Sequence, residues 1–212
     1  MKAILMFVLS FFLLGFQLPT KDYLPKYQAA AASVREGDAM HRIAMVTVAE
    51  GAGCSATAVG PHTILTAGHC VIGGTAIVIV DGKPAHIVGV QYDGNDHALF
   101  VLNQNDISFD TYVGIDEREP RNGERIRMWG NPGSSRHVYR EGYFQVKSDF
   151  VGADGQKRDL YIYILPVFPG DSGSGMISDD GKVIEVVSMG NENAQSQDFL
   201  LQFSPDQLAA IK

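Results

Sequence analysis

Three side chains of this 212-residue chain have the types and order needed to activate a nucleophile: His69, Asp96 and Ser172. A serine hydroxyl attacks poorly until a base takes its proton, and an imidazole serves best when a carboxylate fixes its tautomer. Ser172 stands in Pro169-Gly170-Asp171-Ser172-Gly173-Ser174-Gly175. The glycines allow a sharp turn and leave nearby amides free to face an oxyanion, whose stabilisation is often the largest catalytic contribution. Taken alone, such a loop reads better as a flexible turn. His69 follows Thr66-Ala67-Gly68 and precedes Cys70, which can anchor it, and Asp96 lies just before the apolar run Ala98-Leu99-Phe100.

The other candidates are weaker. His97 adjoins Asp96, but strand alternation sends it to the opposite face. Asp93 rivals Asp96 for the acid, yet with Gly94 it reads as the start of an Asp-Gly turn. Asp171 reads as a brace for the serine loop, and Trp129 as a packing residue at a strand end. His41, His62, His86 and His137 have no partner at i+4 and no cysteine pair nearby, so no metal site is expected. The nucleophile elbow of the α/β-hydrolases needs G-x-S-x-G and a histidine after the serine. Here Ser174 fills the last position, and no histidine follows Ser172.

The elements that must position these groups are short runs rich in valine, isoleucine and aromatics. Strands are expected over 43–49, 63–66, 75–81, 85–92 and 98–102. A second series is expected over 125–129, 137–146, 159–165, 175–178, 183–188 and 198–203, with Asp-Gly turns at Asp81, Asp93, Asp154 and Asp180. Many short strands at close spacing argue for an all-β fold of barrels or a sandwich. The polar stretch 103–123 reads as the connection between two halves. Ser204, Pro205 and Gln207 spell a capping box that starts one closing helix.

Composition agrees with a globular, exported chain. With 17 basic against 24 acidic residues the net charge is −7, which excludes the basic footprint of a nucleic-acid binder. Lys2 and the apolar run from Ala3 to Phe16 resemble a secretory signal or a short N-terminal membrane anchor over residues 1–22, followed by a tether over 23–41. The two cysteines, Cys54 and Cys70, favour a disulfide in an exported chain over two buried thiols. Closing a loop of that size stabilises by roughly 3 kcal/mol in the chain-entropy model.

Thr66-Ala67-Gly68-His69-Cys70 and Gly170-Asp171-Ser172-Gly173-Ser174-Gly175, with Asp96 between them, resemble the diagnostic motifs of chymotrypsin-like serine proteases. A serine replaces the second glycine usual in the latter motif. Cys54 and Cys70 resemble the disulfide that brackets the family's histidine loop. The resemblance covers 42–212 and implies two six-stranded antiparallel β-barrels, about 42–115 and about 122–212, with a C-terminal helix and the site in the cleft between them. His69 would be the general base, Asp96 its orienting carboxylate and Ser172 the nucleophile, with the amides of Gly170 and Ser172 as the oxyanion hole. Ser188, Met189 and Gly190 would pair with an extended peptide, and Pro166 and Val167 would line the pocket for its side chain.

Several positions depart from the family's pattern. His69 and Asp96 are close in sequence, which suggests trimmed loops as in compact bacterial or viral relatives. No Ile-Val-Gly-Gly start precedes the histidine at the family's distance, so insertion of a new N-terminus onto Asp171 is not expected. Pro166 replaces the aspartate of trypsin-like members and Val187 the histidine of glutamate-cleaving ones, leaving a small or apolar preference. The expectation is a secreted or membrane-tethered serine endopeptidase, monomeric, acting on polypeptides without cofactor or metal. A catalytically silent binding module and an esterase are the alternatives.

Overall fold

The computed structural model describes residues 43–47, 53–71, 77–134, 138–152, 154–191 and 195–211. The expected leader and tether lie outside them. Among the described residues no helix is long and apolar enough to cross a membrane.

The first half comprises β1 (Ile43–Thr47), β2 (Gly53–Gly60), β3 (Thr63–Ala67), β4 (Ile77–Val80), β5 (Lys83–Ala85), β6 (Ile87–Tyr92) and β7 (His97–Leu102), in the sheet order β5-β4-β1-β2-β3-β7-β6. The second comprises β8 (Arg125–Gly130), β9 (Val138–Val151), β10 (Lys157–Ile164), β11 (Gly175–Ser178), β12 (Val183–Val186), β13 (Met189–Asn191) and β14 (Gln195–Asp198), in the order β12-β11-β8-β9-β10-β14-β13. The strand ladders of both sheets are antiparallel.

Each half is thus a seven-stranded sheet, not a closed six-stranded barrel. Among the described residues no ladder joins β5 to β6 or β12 to β13. The physical reason is a strand that changes partner. Only His86 separates β5 from β6, and only Val187 and Ser188 separate β12 from β13. If each interrupted pair is taken as one bent strand, six remain in each half.

The Asp-Gly turns behave as their chemistry requires. Asp81 and Gly82 both take positive φ between β4 and β5, and Gly155 and Gly181 do so between β9 and β10 and between β11 and β12. Beyond the breaks that add β5 and β13, two strands differ from expectation. β2 (Gly-Cys-Ser-Ala-Thr-Ala-Val-Gly) has weak strand propensity and gave no signal in the sequence. It is central and almost wholly buried, and its small side chains let the second half pack directly on it. β14 is the polar run Gln195–Asp198; of the apolar residues that follow, Leu200 still bridges Glu185 on β12, whereas Leu201 and Phe203 join the first half's core.

The short helix α1 (Pro205–Ala209) starts as its sequence demands. Gln207 N–H donates to Ser204 Oγ, and the Gln207 side chain accepts from Ser204 N–H. Leu208 and Ile211 pack on the core that Ile64, Leu99 and Phe100 build under the first sheet. Ile126, Met128, Tyr161 and Tyr163 form the core of the second. Cys54 and Cys70 form the disulfide and tie β2 to the turn that carries His69.

Candidate active site

His69 lies in a single 3-10 turn after β3, and Asp96 in the tight loop before β7, so the adjacent strands β3 and β7 deliver both to one end of the first sheet. Asp96 grips His69 twice. Its Oδ1 accepts from the His69 main-chain N–H at 2.7 Å, and its Oδ2 lies 2.8 Å from Nδ1. The second bond leaves Nε2 as the basic nitrogen facing away from the acid. Asp96 itself has φ +69°, a left-handed backbone costing about 1 kcal/mol or more in a non-glycine residue. Glycine at 68 eases this contact: a Cβ there would lie 3.1–3.2 Å from the Asp96 backbone and carboxylate, so Asp96 would have to give by a few tenths of an ångström.

Ser172 is half-buried on the loop between β10 and β11. Around it the amides divide into two kinds. Asp171 N–H donates to Phe168 O, Gly173 N–H to Val187 O, Ser174 N–H to Asp171 O and Gly175 N–H to Thr57 Oγ1. The amides of Gly170 and Ser172 have no partner among the described residues, which is the arrangement an oxyanion hole requires. Gly173, at φ +90°, admits only glycine, because a Cβ would collide with Ser55 O and Thr66 Oγ1. Ser172 Oγ has no hydrogen bond to His69 among those described. Such bonds commonly tighten only when substrate binds. Cys70 Sγ lies 3.9 Å from Ser172 O, so the disulfide is the shared wall between the two halves of the site. Its sulfurs lie with a His69 ring nitrogen within 4.8 Å, but oxidised cysteines offer no thiolate to a metal.

Two residues that hold this geometry had no signal in the sequence. Ser55 on β2 donates through N–H to Ser172 O and through Oγ to Gly170 O, both at 2.7 Å, and its Oγ accepts from Asn131 N–H at 2.8 Å. It thereby ties the serine loop to β2 through the carbonyls of Gly170 and Ser172. Arg140 on β9 pairs bidentately with Asp171, both side chains almost wholly buried. Asp171 is therefore the brace expected of it, and its counter-charge comes from within the chain.

The five residues expected to meet substrate gather at one edge. Ser188 to Gly190 run into β13, which ends its sheet and, among the described residues, pairs only with β14. Val167 leans across this segment, its Cγ2 only 2.5 Å from where a Cβ on Gly190 would be. Pro166 lies behind, its carbonyl accepting from Arg140. Below them Asp198 is wholly buried, accepting from Ser188 N–H and Ser196 Oγ, each at 2.6 Å. Burial pushes its carboxyl up to about 8 against the pull of those donors, and burial together with Asp198 raises Glu185 on β12 well above the usual range.

The folded protein thus holds the Asp198 proton up to about pH 8, whereas unfolded aspartate loses it near pH 4. Between those limits the native state binds more protons, so stability falls as pH rises and levels off above them. Asp198→Asn keeps the shape and an accepting oxygen. It should reduce that fall, which urea midpoints measured across the range will check.

Comparison with curated protein sequences gives no match. Among solved structures, the chain is similar to the Rv3671c protease in its inactive form, with 19% identity and TM-score 0.68 over 86% of this chain and 95% of that one. It is also similar to the Ser343Ala mutant of Rv3671c from M. tuberculosis H37Rv, again at 19% identity, with TM-score 0.65 over 87% and 89%. The active form matches at 18% identity and TM-score 0.64 over 87% and 82%. These likenesses establish the chymotrypsin-like fold. A family model described as Trypsin-like peptidase domain matches residues 54–184, the span that carries His69, Asp96 and Ser172, and the chain belongs to that family.

Proposed function

We propose that this protein is a serine endopeptidase acting through an acyl-enzyme on Ser172. The observation that carries the reading is the doubly held His69–Asp96 pair in a molecule whose serine loop leaves the Gly170 and Ser172 amides free. An extended peptide adds to the open edge at Ser188 to Gly190. His69 Nε2 takes the Ser172 proton as Oγ bonds to the carbonyl carbon. The oxyanion draws on the two free amides, and His69 returns the proton to the leaving amine. Water then repeats the sequence to release the acid and restore Ser172.

The disulfide supports a location outside the cytoplasm, where such bonds persist, and the N-terminal apolar run supports export or a membrane tether. We place the enzyme there as a monomer. Val167 against Gly190 limits the pocket to a small side chain before the scissile bond. Val167→Gly should shift the preference toward larger side chains by about tenfold or more, read by profiling a peptide library with both proteins.

Labelling with a fluorophosphonate tests the nucleophile. Stoichiometric modification at Ser172, absent from Ser172→Ala and His69→Ala, is expected. The missing Ser172–His69 hydrogen bond favours one competing reading, a silent protease-fold binding module. Failure of the folded, oxidised protein to label would point to that reading or to a latent enzyme instead. Faster turnover of esters with no cleavage of peptides would make it an esterase.

A further inference from the structure

Directly behind Asp96 lies a second aspartate–histidine pair. His97 Nδ1 and Asp93 Oδ2 are 2.6 Å apart, and neither side chain is exposed. The two residues bracket the loop that carries Asp96, and they close it on itself. Asp93 Oδ1 accepts from the main-chain N–H groups of Asn95 at 2.8 Å and His97 at 3.2 Å, while Asp93 N–H donates to His97 O. Asp93 Oδ2 also accepts from Gln202 N–H at 3.0 Å, and Asn95 Nδ2 donates to Leu200 O. One buried carboxylate therefore ties the loop to itself and to the segment crossing between the two halves.

Asp96 has no comparable support of its own. Its carboxylate is spent on His69, its backbone is left-handed, and its carbonyl accepts from Gly68 N–H at 2.6 Å. A cleft of about 320 Å³, lined by Tyr92, Gly94, Arg158 and Phe199 among others, opens on its far side. No side chain presses on Asp96 from that cleft closely enough to bond it in the described structure. Beyond the Gly68 bond, the Asp96 backbone is held by the loop closure that Asp93 and His97 make.

We infer that Asp93 and His97 are positioning residues whose buried pair sets where the Asp96 carboxylate meets His69. The inference rests on the reading of His69 as general base. Burial works against ionisation of Asp93, but the His97 hydrogen bond and charge, with the amides of Asn95 and Gln202, outweigh it and hold the carboxyl below its usual range. The other acid facing the pair is Glu117, raised by its own burial and by Asp93. The role explains why a histidine occupies a fully buried position on β7, where an apolar residue would otherwise stand.

The test compares His97→Phe, which fills the slot without a donor, with His97→Asn, which restores a donor at the Nδ1 position. Active sites are counted by fluorophosphonate titration. A displaced Asp96 should cost about a hundredfold in kcat per active site, with KM little changed and most of the loss recovered in His97→Asn. Low-field proton NMR on 15N-histidine protein carrying Ser172→Ala provides a readout independent of turnover. The His69 Nδ1–H resonance, assigned by its loss in His69→Ala, should be present in the parent and in His97→Asn and be lost or shifted upfield in His97→Phe.

An unchanged His69 resonance in folded His97→Phe overturns the inference whether or not the protein cleaves peptides. So does a fall only in the number of active sites, with kcat per site intact. If His97→Phe fails to fold, Asp93→Asn takes its place, since it keeps an oxygen for the loop amides and removes the charge, and the same two outcomes apply. If the parent itself does not label, the endopeptidase reading fails while the resonance still decides the positioning.

Discussion

Replacing Ser172 with alanine should lower kcat by on the order of a millionfold, the loss found when the nucleophile or base of such a constellation is removed. The residual rate should still exceed that in water, because the Gly170 and Ser172 amides and the open edge of β13 survive the change. Stability should hardly move, since Ser172 Oγ makes no hydrogen bond among the described residues and its main-chain contacts to Ser55 and Cys70 are independent of the side chain. The pairing of a very large kinetic effect with a silent melting curve is the signature to look for. Combining Ser172→Ala with His69→Ala should add little, because the two act as a unit. Kinetics on a peptide substrate, with circular dichroism of each variant, makes the check. Retention of turnover in Ser172→Ala would remove this serine from the mechanism.

The largest effect on stability is expected at Arg140. Its guanidinium forms two hydrogen bonds with a wholly buried Asp171, stacks 5.4 Å from the Phe168 ring and donates to Pro166 O. Arg140→Met fills the space and strands the carboxylate with the Phe168 amide as the donor described for it. Breaking a buried pair from one side costs about 3–5 kcal/mol. The sign of its pH dependence follows from burial. Without the cation, the folded carboxyl would hold its proton above the unfolded value near pH 4, so the penalty should grow as pH rises and shrink toward acid.

Activity should suffer too, because Asp171 lies between the two residues whose free amides are proposed to hold the oxyanion. Misaiming one such donor costs on the order of 100- to 1,000-fold in kcat. Arg140→Met with Asp171→Asn should recover much of the stability, as a neutral side chain no longer demands a counter-charge. Urea unfolding at two pH values, with kcat for both variants, will show it. Equal midpoints for parent and Arg140→Met would mean that the pair does not hold the loop.

Local pattern carried the candidate site. The glycines around Ser172, the histidine beside Cys70 and the aspartate before β7 are short-range features, and each falls where its motif predicts. The capping box at Ser204 and the Asp-Gly turns belong to the same kind, because a few neighbouring dihedrals and one hydrogen bond decide them. β2 and β14 do not. Glycine, serine and alanine in β2 read as loop because they lack strand propensity, and they are small because the second half needs room against that strand. Gln195–Asp198 pairs with Tyr161–Ile164 through backbone groups, which leave no apolar period to read.

By itself, then, the sequence determined an all-β chain with a disulfide between Cys54 and Cys70, a closing helix and three catalytic types in order. The tertiary structure decided what holds them. Ser55 reaches Gly170 across 115 positions, Arg140 reaches Asp171 across 31, and Val167 closes on Gly190 from another segment. Partners so far apart share no periodicity and no local dihedral constraint. The Ser55 contact exists only once both sheets have folded against each other, the other two only once the second half has closed on itself, and the low dielectric inside strengthens the hydrogen bonds of Ser55 and Arg140.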